Sequence, residues 1–130
     1  MRLRILMVED NHLNRELVSA LLEGDGWEVV AVDCAQRFRE HLQTGARPDL
    51  VLMDIVLPDA DGVTLLCELR AVPALAKTPV LALTAQALSG DRARFLAAGF
   101  DEVITKPIDT RVFAAQVAAL AAAAPSSRGQ

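Results

Sequence analysis

Four short apolar runs, each closed by a polar group, constrain this chain more than any other feature. Ile5-Leu6-Met7-Val8 ends on Glu9-Asp10, and Leu50-Val51-Leu52-Met53 ends on Asp54. Val80-Leu81-Ala82-Leu83 ends on Thr84, and Val103-Ile104-Thr105 ends on Lys106. Runs this short and sharply bounded read as strands. The continuous apolar character of those at Ile5, Leu50 and Val80 fits strands covered on both faces. Helical patterns lie between the runs, and that alternation predicts βαβ units on a parallel sheet, an α/β fold.

The spacing predicts strands over 3–8, 28–32, 50–54, 79–83 and 101–105. The second, Glu28-Val29-Val30-Ala31-Val32, has the weakest pattern. Helices are predicted over 11–23, 34–44, 62–71, 88–98 and 110–123. The first puts Leu13, Leu17 and Leu21 with Val18 and Leu22 on one face, with Gly24 as C-cap and Asp25-Gly26 as a turn. The second carries Ala35, Phe38 and Leu42 and ends at Gly45. The third carries Leu65, Leu66 and Leu69 and closes before Pro73. Ser89 and Asp91 open the fourth, and Gly99 follows it. Asp109 reads as N-cap of the fifth, with Phe113, Val117 and Leu120 inward. One domain over 1–123 and a frayed tail over 124–130 follow from the pattern.

Composition narrows the function classes. At 130 residues and 52% apolar, the chain can build one packed core. A net charge of −4, with no run of Lys and Arg, argues against direct DNA binding. No apolar run is long enough for a membrane span or a signal segment. Cys34 and Cys67 lack metal-site spacing and read as reduced thiols of a cytoplasmic protein.

A carboxylate at the tip of a buried strand is costly unless something pairs with it. In a parallel sheet the four runs deliver their ends to one edge, where ligands bind at the reversal of strand order. If the first and third strands are neighbours, Glu9, Asp10 and Asp54 converge and repel one another. A hard divalent cation such as Mg²⁺ removes the conflict. Asp54 then becomes a candidate nucleophile, because carboxylates form aspartyl-phosphates. Lys106 would pair one phosphoryl oxygen and Thr84 would donate a hydrogen bond to another.

Each group also has a plainer reading: a loop-tip carboxylate for Asp54, a helix cap for Glu9-Asp10, a strand-end hydroxyl for Thr84, a solvated lysine for Lys106. Their joint order favours one shared pocket. His12 and His41 read as solvated surface, Cys34 and Cys67 as helix-face residues, and Trp27 as packing at a strand entrance.

The residues Val8-Glu9-Asp10-Asn11, Met53-Asp54-Ile55 with Leu57-Pro58 and Gly62, Leu83-Thr84-Ala85 and Lys106-Pro107 together resemble the receiver domain of two-component response regulators. The resemblance spans about residues 3–122. Asn11, Asn14-Arg15 and Met53-Asp54-Ile55 most resemble receivers of hybrid kinases and of small single-domain cell-cycle regulators. The resemblance implies a doubly wound, flavodoxin-like (βα)5 fold with sheet order 2-1-3-4-5. It implies that Asp54 accepts phosphate from a phosphohistidine on a histidine kinase or a histidine phosphotransfer protein. Asp10, Asp54 and the backbone carbonyl of Val56 would ligate Mg²⁺, or Mn²⁺ as substitute, and Glu9 would act through a metal-bound water. Lys106-Pro107 would carry a cis peptide bond aiming Lys106 into the pocket. The module would catalyse its own phosphorylation and dephosphorylation without being a conventional turnover enzyme. It would signal to a downstream protein target as a monomer or weak dimer.

One departure stands out: Val103 occupies the position where receivers usually carry Tyr or Phe, three residues before the lysine. That aromatic is the family's reporter on the surface of the fourth helix, fifth strand and fifth helix. Val56 and Gln86 flank the path of an attacking water, and neither residue alone sets a phosphoryl lifetime. A phosphatase of the haloacid dehalogenase type would need a second Asp where Val56 stands. A flavodoxin-like nucleotide binder would need a Gly-rich loop after the first strand. A phosphorylation-independent pseudo-receiver would lack one of the five site residues, and none is missing. Met1 and the tail favour a free-standing regulator over a fragment of a hybrid kinase.

Overall fold

Short apolar segments with no polar interior can only pair with one another, and here they form a single parallel sheet. The computed structural model describes residues 3–85 and 90–123. Its strands are β1 (Arg4–Val8), β2 (Glu28–Val32), β3 (Leu50–Asp54), β4 (Val80–Thr84) and β5 (Glu102–Thr105). They lie in the order β2-β1-β3-β4-β5, all parallel, as the resemblance implies. Every residue of β3 and β4 is buried, whereas β2 is an edge strand with Glu28, Val30 and Ala31 exposed. That edge position explains why its pattern is the weakest.

The helices are α1 (His12–Gly24), α2 (Ala35–Gln43), α3 (Gly62–Arg70), α4 (Asp91–Ala98) and α5 (Phe113–Ala123), with a short 3₁₀ turn at Pro73–Leu75. Strand residues alternate between two cores. Leu6, Val8, Val51, Met53, Val80 and Ala82 face α2, α3 and α4 through Phe38, Leu65, Leu66, Leu69 and Phe95. Ile5, Met7, Leu50, Leu52, Leu81 and Leu83 face α1 and α5 through Val18, Leu22, Phe113 and Val117, with Trp27 at the margin. Burial of these apolar side chains is the main favourable term for the fold.

Several element details differ from the sequence expectation. Leu13 is 73% exposed and Leu17 is 39% exposed, so α1 packs on Val18 and Leu22 with Leu21 at the flank. The 13/17/21 stripe is offset from 18/22 by about 100°, one residue around the helix, and the second stripe meets the sheet with Leu21 alone of the first packed beside it. Gly24 is the last helical residue; Asp25 caps α1, and Gly26 takes the left-handed conformation at φ 94°. Thr84 is the last residue of β4, within the strand. Asp109 opens a turn, its side chain accepting from Arg111 N at 3.0 Å and its carbonyl from Phe113 N at 3.0 Å, before α5 begins at Phe113. Gln86, Ser89 and the tail over 124–130 lie outside the described residues.

Candidate functional site

The strand order puts β1 beside β3, so the chain leaves the sheet in opposite directions after these two strands. A crevice opens between their ends. Register pairs Val8 with Met53, Asp54 with Leu83, and Thr84 with Thr105. Glu9, Asp10, Asp54, Thr84 and Lys106 therefore reach the same end of the sheet. A cavity of about 510 Å³ lies there, lined among others by Glu9, Asp10, Asn11, Asp54, Val56 and Lys106.

Lys106 sits at the centre of the charge balance. Its Nζ lies 3.0 Å from Asp54 Oδ2 and 2.7 Å from Glu9 Oε1. The first contact is a hydrogen bond; the second is an ion pair that leaves the buried Glu9 Oε1 without a hydrogen bond of good geometry. Glu9 Oε2 accepts from Asn11 N at 3.0 Å, and Asp54 Oδ1 accepts from Val56 N at 3.1 Å. Asp10 is exposed at the mouth. The Lys106–Pro107 peptide bond is cis, and Lys106 N donates to Thr84 O at 2.7 Å.

One ammonium faces two buried carboxylates and cannot neutralise both. Burial raises the Asp54 pKa to about 7, against the Lys106 hydrogen bond that lowers it and with the neighbouring Glu9 charge that raises it further. Burial works against the Lys106 charge, but its contacts with the Glu9 and Asp54 carboxylates outweigh it and the lysine pKa goes up. A divalent cation fits this donor set. One carboxylate oxygen from each of Glu9, Asp10 and Asp54 lies within 4.8 Å of the others, which is more negative charge than the single Lys106 ammonium balances.

Local structure explains how Asp54 is held. After β3 the loop closes on itself: Gly62 N donates to Ile55 O at 2.8 Å and Leu57 N to Ala60 O at 3.1 Å. A Cβ on Gly62 would stand 2.7 Å from the Asp54 carbonyl oxygen and 3.0 Å from Ile55 Cα, so only glycine lets α3 start there. Asp61 Oδ1 caps α3 through Thr64 N at 2.8 Å. Asp59 in the same loop accepts from Ala35 N at 2.8 Å and Gln36 N at 3.0 Å, capping α2 from a distance because the local N-cap, Cys34, makes no side-chain cap bond. Sequence reasoning missed Asp59; a cysteine at an N-cap position was the available hint. It also offered Glu9-Asp10 as a cap for α1, where Asn11 is the cap, its Oδ1 accepting from Asn14 N at 3.0 Å.

The other singled-out residues stay outside the charge cluster. His12 is exposed and lies 3.2 Å from Glu16 Oε1, and His41 is half-buried on α2. Cys34 and Cys67 are free thiols. Val103 is buried in β5 in the same core as Phe95, and its carbonyl accepts from Arg92 Nη1 of α4 at 2.9 Å. Among the described residues no helix is long and apolar enough to cross a membrane.

The response regulator receiver domain model matches residues 5–118. The chain is 37% identical over 113 residues to the polar-differentiation response regulator DivK of Brucella anthropi, covering 84% of this chain and 88% of that one. It is 33% identical over 115 residues to the hybrid signal transduction histidine kinase I of Dictyostelium discoideum, covering 84% of this chain and spanning 7% of that relative's length. The solved receiver domain of the sensor histidine kinase PA1611 from Pseudomonas aeruginosa has magnesium coordinated in its active site cleft. It superposes with a TM-score of 0.83 at 32% identity, covering 95% of this chain and 100% of that one.

Proposed function

The chain belongs to the response regulator receiver domain family, and from that premise we propose that Asp54 is its phosphoacceptor. Receiver domains serve two-component signalling; here the donor would be a phosphohistidine on a histidine kinase or phosphotransfer protein. The observation that carries the reading is the buried Asp54 carboxylate, 3.0 Å from Lys106 Nζ and within 4.8 Å of carboxylate oxygens of Glu9 and Asp10.

Asp54 Oδ attacks phosphorus, the bond to the donor imidazole nitrogen breaks, and that nitrogen keeps the electron pair. Transfer of this kind depends mostly on positioning and charge neutralisation. The strand end and the Gly62 contact fix Asp54. The Lys106 ammonium moves its partnership from carboxylate to phosphoryl oxygen, and Glu9 keeps it in place. Thr84 donates its hydroxyl hydrogen to another phosphoryl oxygen. Asp10, Asp54 and the Val56 carbonyl would hold Mg²⁺, with Glu9 reached through water, and the bound ion supplies positive charge to the phosphoryl oxygens. Mn²⁺ would substitute, since the donors are oxygens. The same residues would serve self-catalysed dephosphorylation.

The exposed Leu13 and Leu17 adjoin His12 and Asn14 at the cavity mouth, which supports α1 as the seat of the phosphodonor protein. A downstream protein is the second partner, with a cytoplasmic monomer or weak dimer as the working form.

Acetyl phosphate with Mg²⁺ will label the wild-type chain, and Asp54→Asn will abolish the label. Mass spectrometry of the intact protein reads both, and a persistent label in the variant overturns the assignment.

A further inference from the structure

We propose that Arg15 is a positioning residue for the acidic cluster, an inference that rests on the phosphoacceptor reading. Arg15 lies in α1, half-buried, and turns back over the loop that follows β1. Its Nη1 donates to the carbonyl oxygens of Glu9 and Asp10, both at 3.0 Å. Its Nη2 lies 3.2 Å from His12 Nδ1. A single guanidinium nitrogen, Nη1, thus serves two successive carbonyls that accept from no backbone N–H among the described residues.

The remaining ties of this loop are few. Glu9 N donates to Val32 O at 3.0 Å, and Asn11 N donates to Glu9 Oε2 at 3.0 Å. These hold Glu9 from both sides. Asp10 is different: its exposed side chain makes no hydrogen bond or ion pair among the described residues. Only its backbone fixes where that carboxylate stands, and the Arg15 contact to its carbonyl sets the backbone. Without the guanidinium the carbonyls of Glu9 and Asp10 turn toward water, and Asp10 swings away from Asp54.

Charge and position make opposite predictions here. A guanidinium beside an acidic cluster opposes a cation, so on charge alone its removal strengthens Mg²⁺ binding. If Arg15 acts by position, its removal weakens that binding, as loss of partners behind metal ligands does.

The test is a Mg²⁺ titration of the full chain, followed by amide chemical shifts, in wild type, Arg15→Met and Arg15→Lys. Urea midpoints are measured alongside without metal. Arg15→Met removes charge and donors while keeping the stem. The expected result is Mg²⁺ affinity roughly tenfold weaker in Arg15→Met, with a smaller loss in Arg15→Lys, which keeps the charge but not the reach and planar N–H geometry of the guanidinium. Affinity equal to or tighter than wild type in Arg15→Met overturns the inference, as does a lowered urea midpoint with unchanged affinity. If Arg15→Met does not fold, Arg15→Lys decides: wild-type affinity overturns the inference and weaker affinity supports it. Absence of any Mg²⁺ response in wild type overturns the phosphoacceptor reading and this inference with it.

Discussion

Asp54 is a buried carboxylate that shares one lysine with a second buried carboxylate, and its titration follows from that. With a folded pKa of about 7, well above the ordinary carboxylate range, the folded chain holds a proton that the unfolded chain has released. Metal-free stability conferred by this group is present at low pH and is lost as pH rises toward about 7. Lys106 shifts upward from the usual lysine range and leaves this window untouched. Urea midpoints measured without metal are therefore expected to fall between pH 5 and pH 8 by more in wild type than in Asp54→Asn. Equal slopes would remove Asp54 from the titration. Protons and Mg²⁺ compete for the same oxygens, so Mg²⁺ affinity should rise over the same interval.

The loop between β3 and α3 connects the site to the helical layer. Gly62 is its tightest point, since a methyl group there meets the Asp54 carbonyl at 2.7 Å. Gly62→Ala is expected to cost roughly 1–3 kcal/mol, the usual penalty for overpacking, and to slow acetyl phosphate labelling by displacing Asp54. Chemical denaturation and labelling kinetics check the two effects separately. Asp59 in this loop caps α2, and Arg39 of α2 grips Glu68 of α3 through two hydrogen bonds of 2.7 and 2.8 Å. The loop that follows Asp54 is thus tied to two helices. Farther round, Arg70 of α3 reaches Asp101 Oδ2 at 3.1 Å, and the same oxygen accepts from Val80 N at 2.8 Å. That contact anchors the start of β4 opposite the site.

Across the whole molecule, the proposed phosphate on Asp54 would have to be reported from β5 to α4. Val103 is a buried core residue and offers no ring to rotate. The link from β5 to α4 is instead made by Arg92, through the Val103 carbonyl and an ion pair to Glu102. Beryllofluoride with Mg²⁺ is expected to shift the amides of Thr84 and of Arg92 and Val103 together; a shift confined to Thr84 would mean the site is uncoupled from α4. Strand positions, the fold class and the polar group that closes each of the four apolar runs were all legible in the sequence. An apolar run closed by a charge is a local signal, and burial of that charge needs a partner wherever the run lies. Which apolar stripe of α1 meets the sheet was not legible, because Leu13 and Leu17 are as apolar as Val18 and Leu22 and only the docking angle chooses. Asp59 capping α2, and Arg15 holding the carbonyls of Glu9 and Asp10, were hidden for a related reason. Each hydrogen bond depends on where the loops are brought, and residue type alone does not encode it. The sequence by itself determined which groups meet at the sheet edge; the tertiary structure decided which of them pair, which stay exposed and what holds them there.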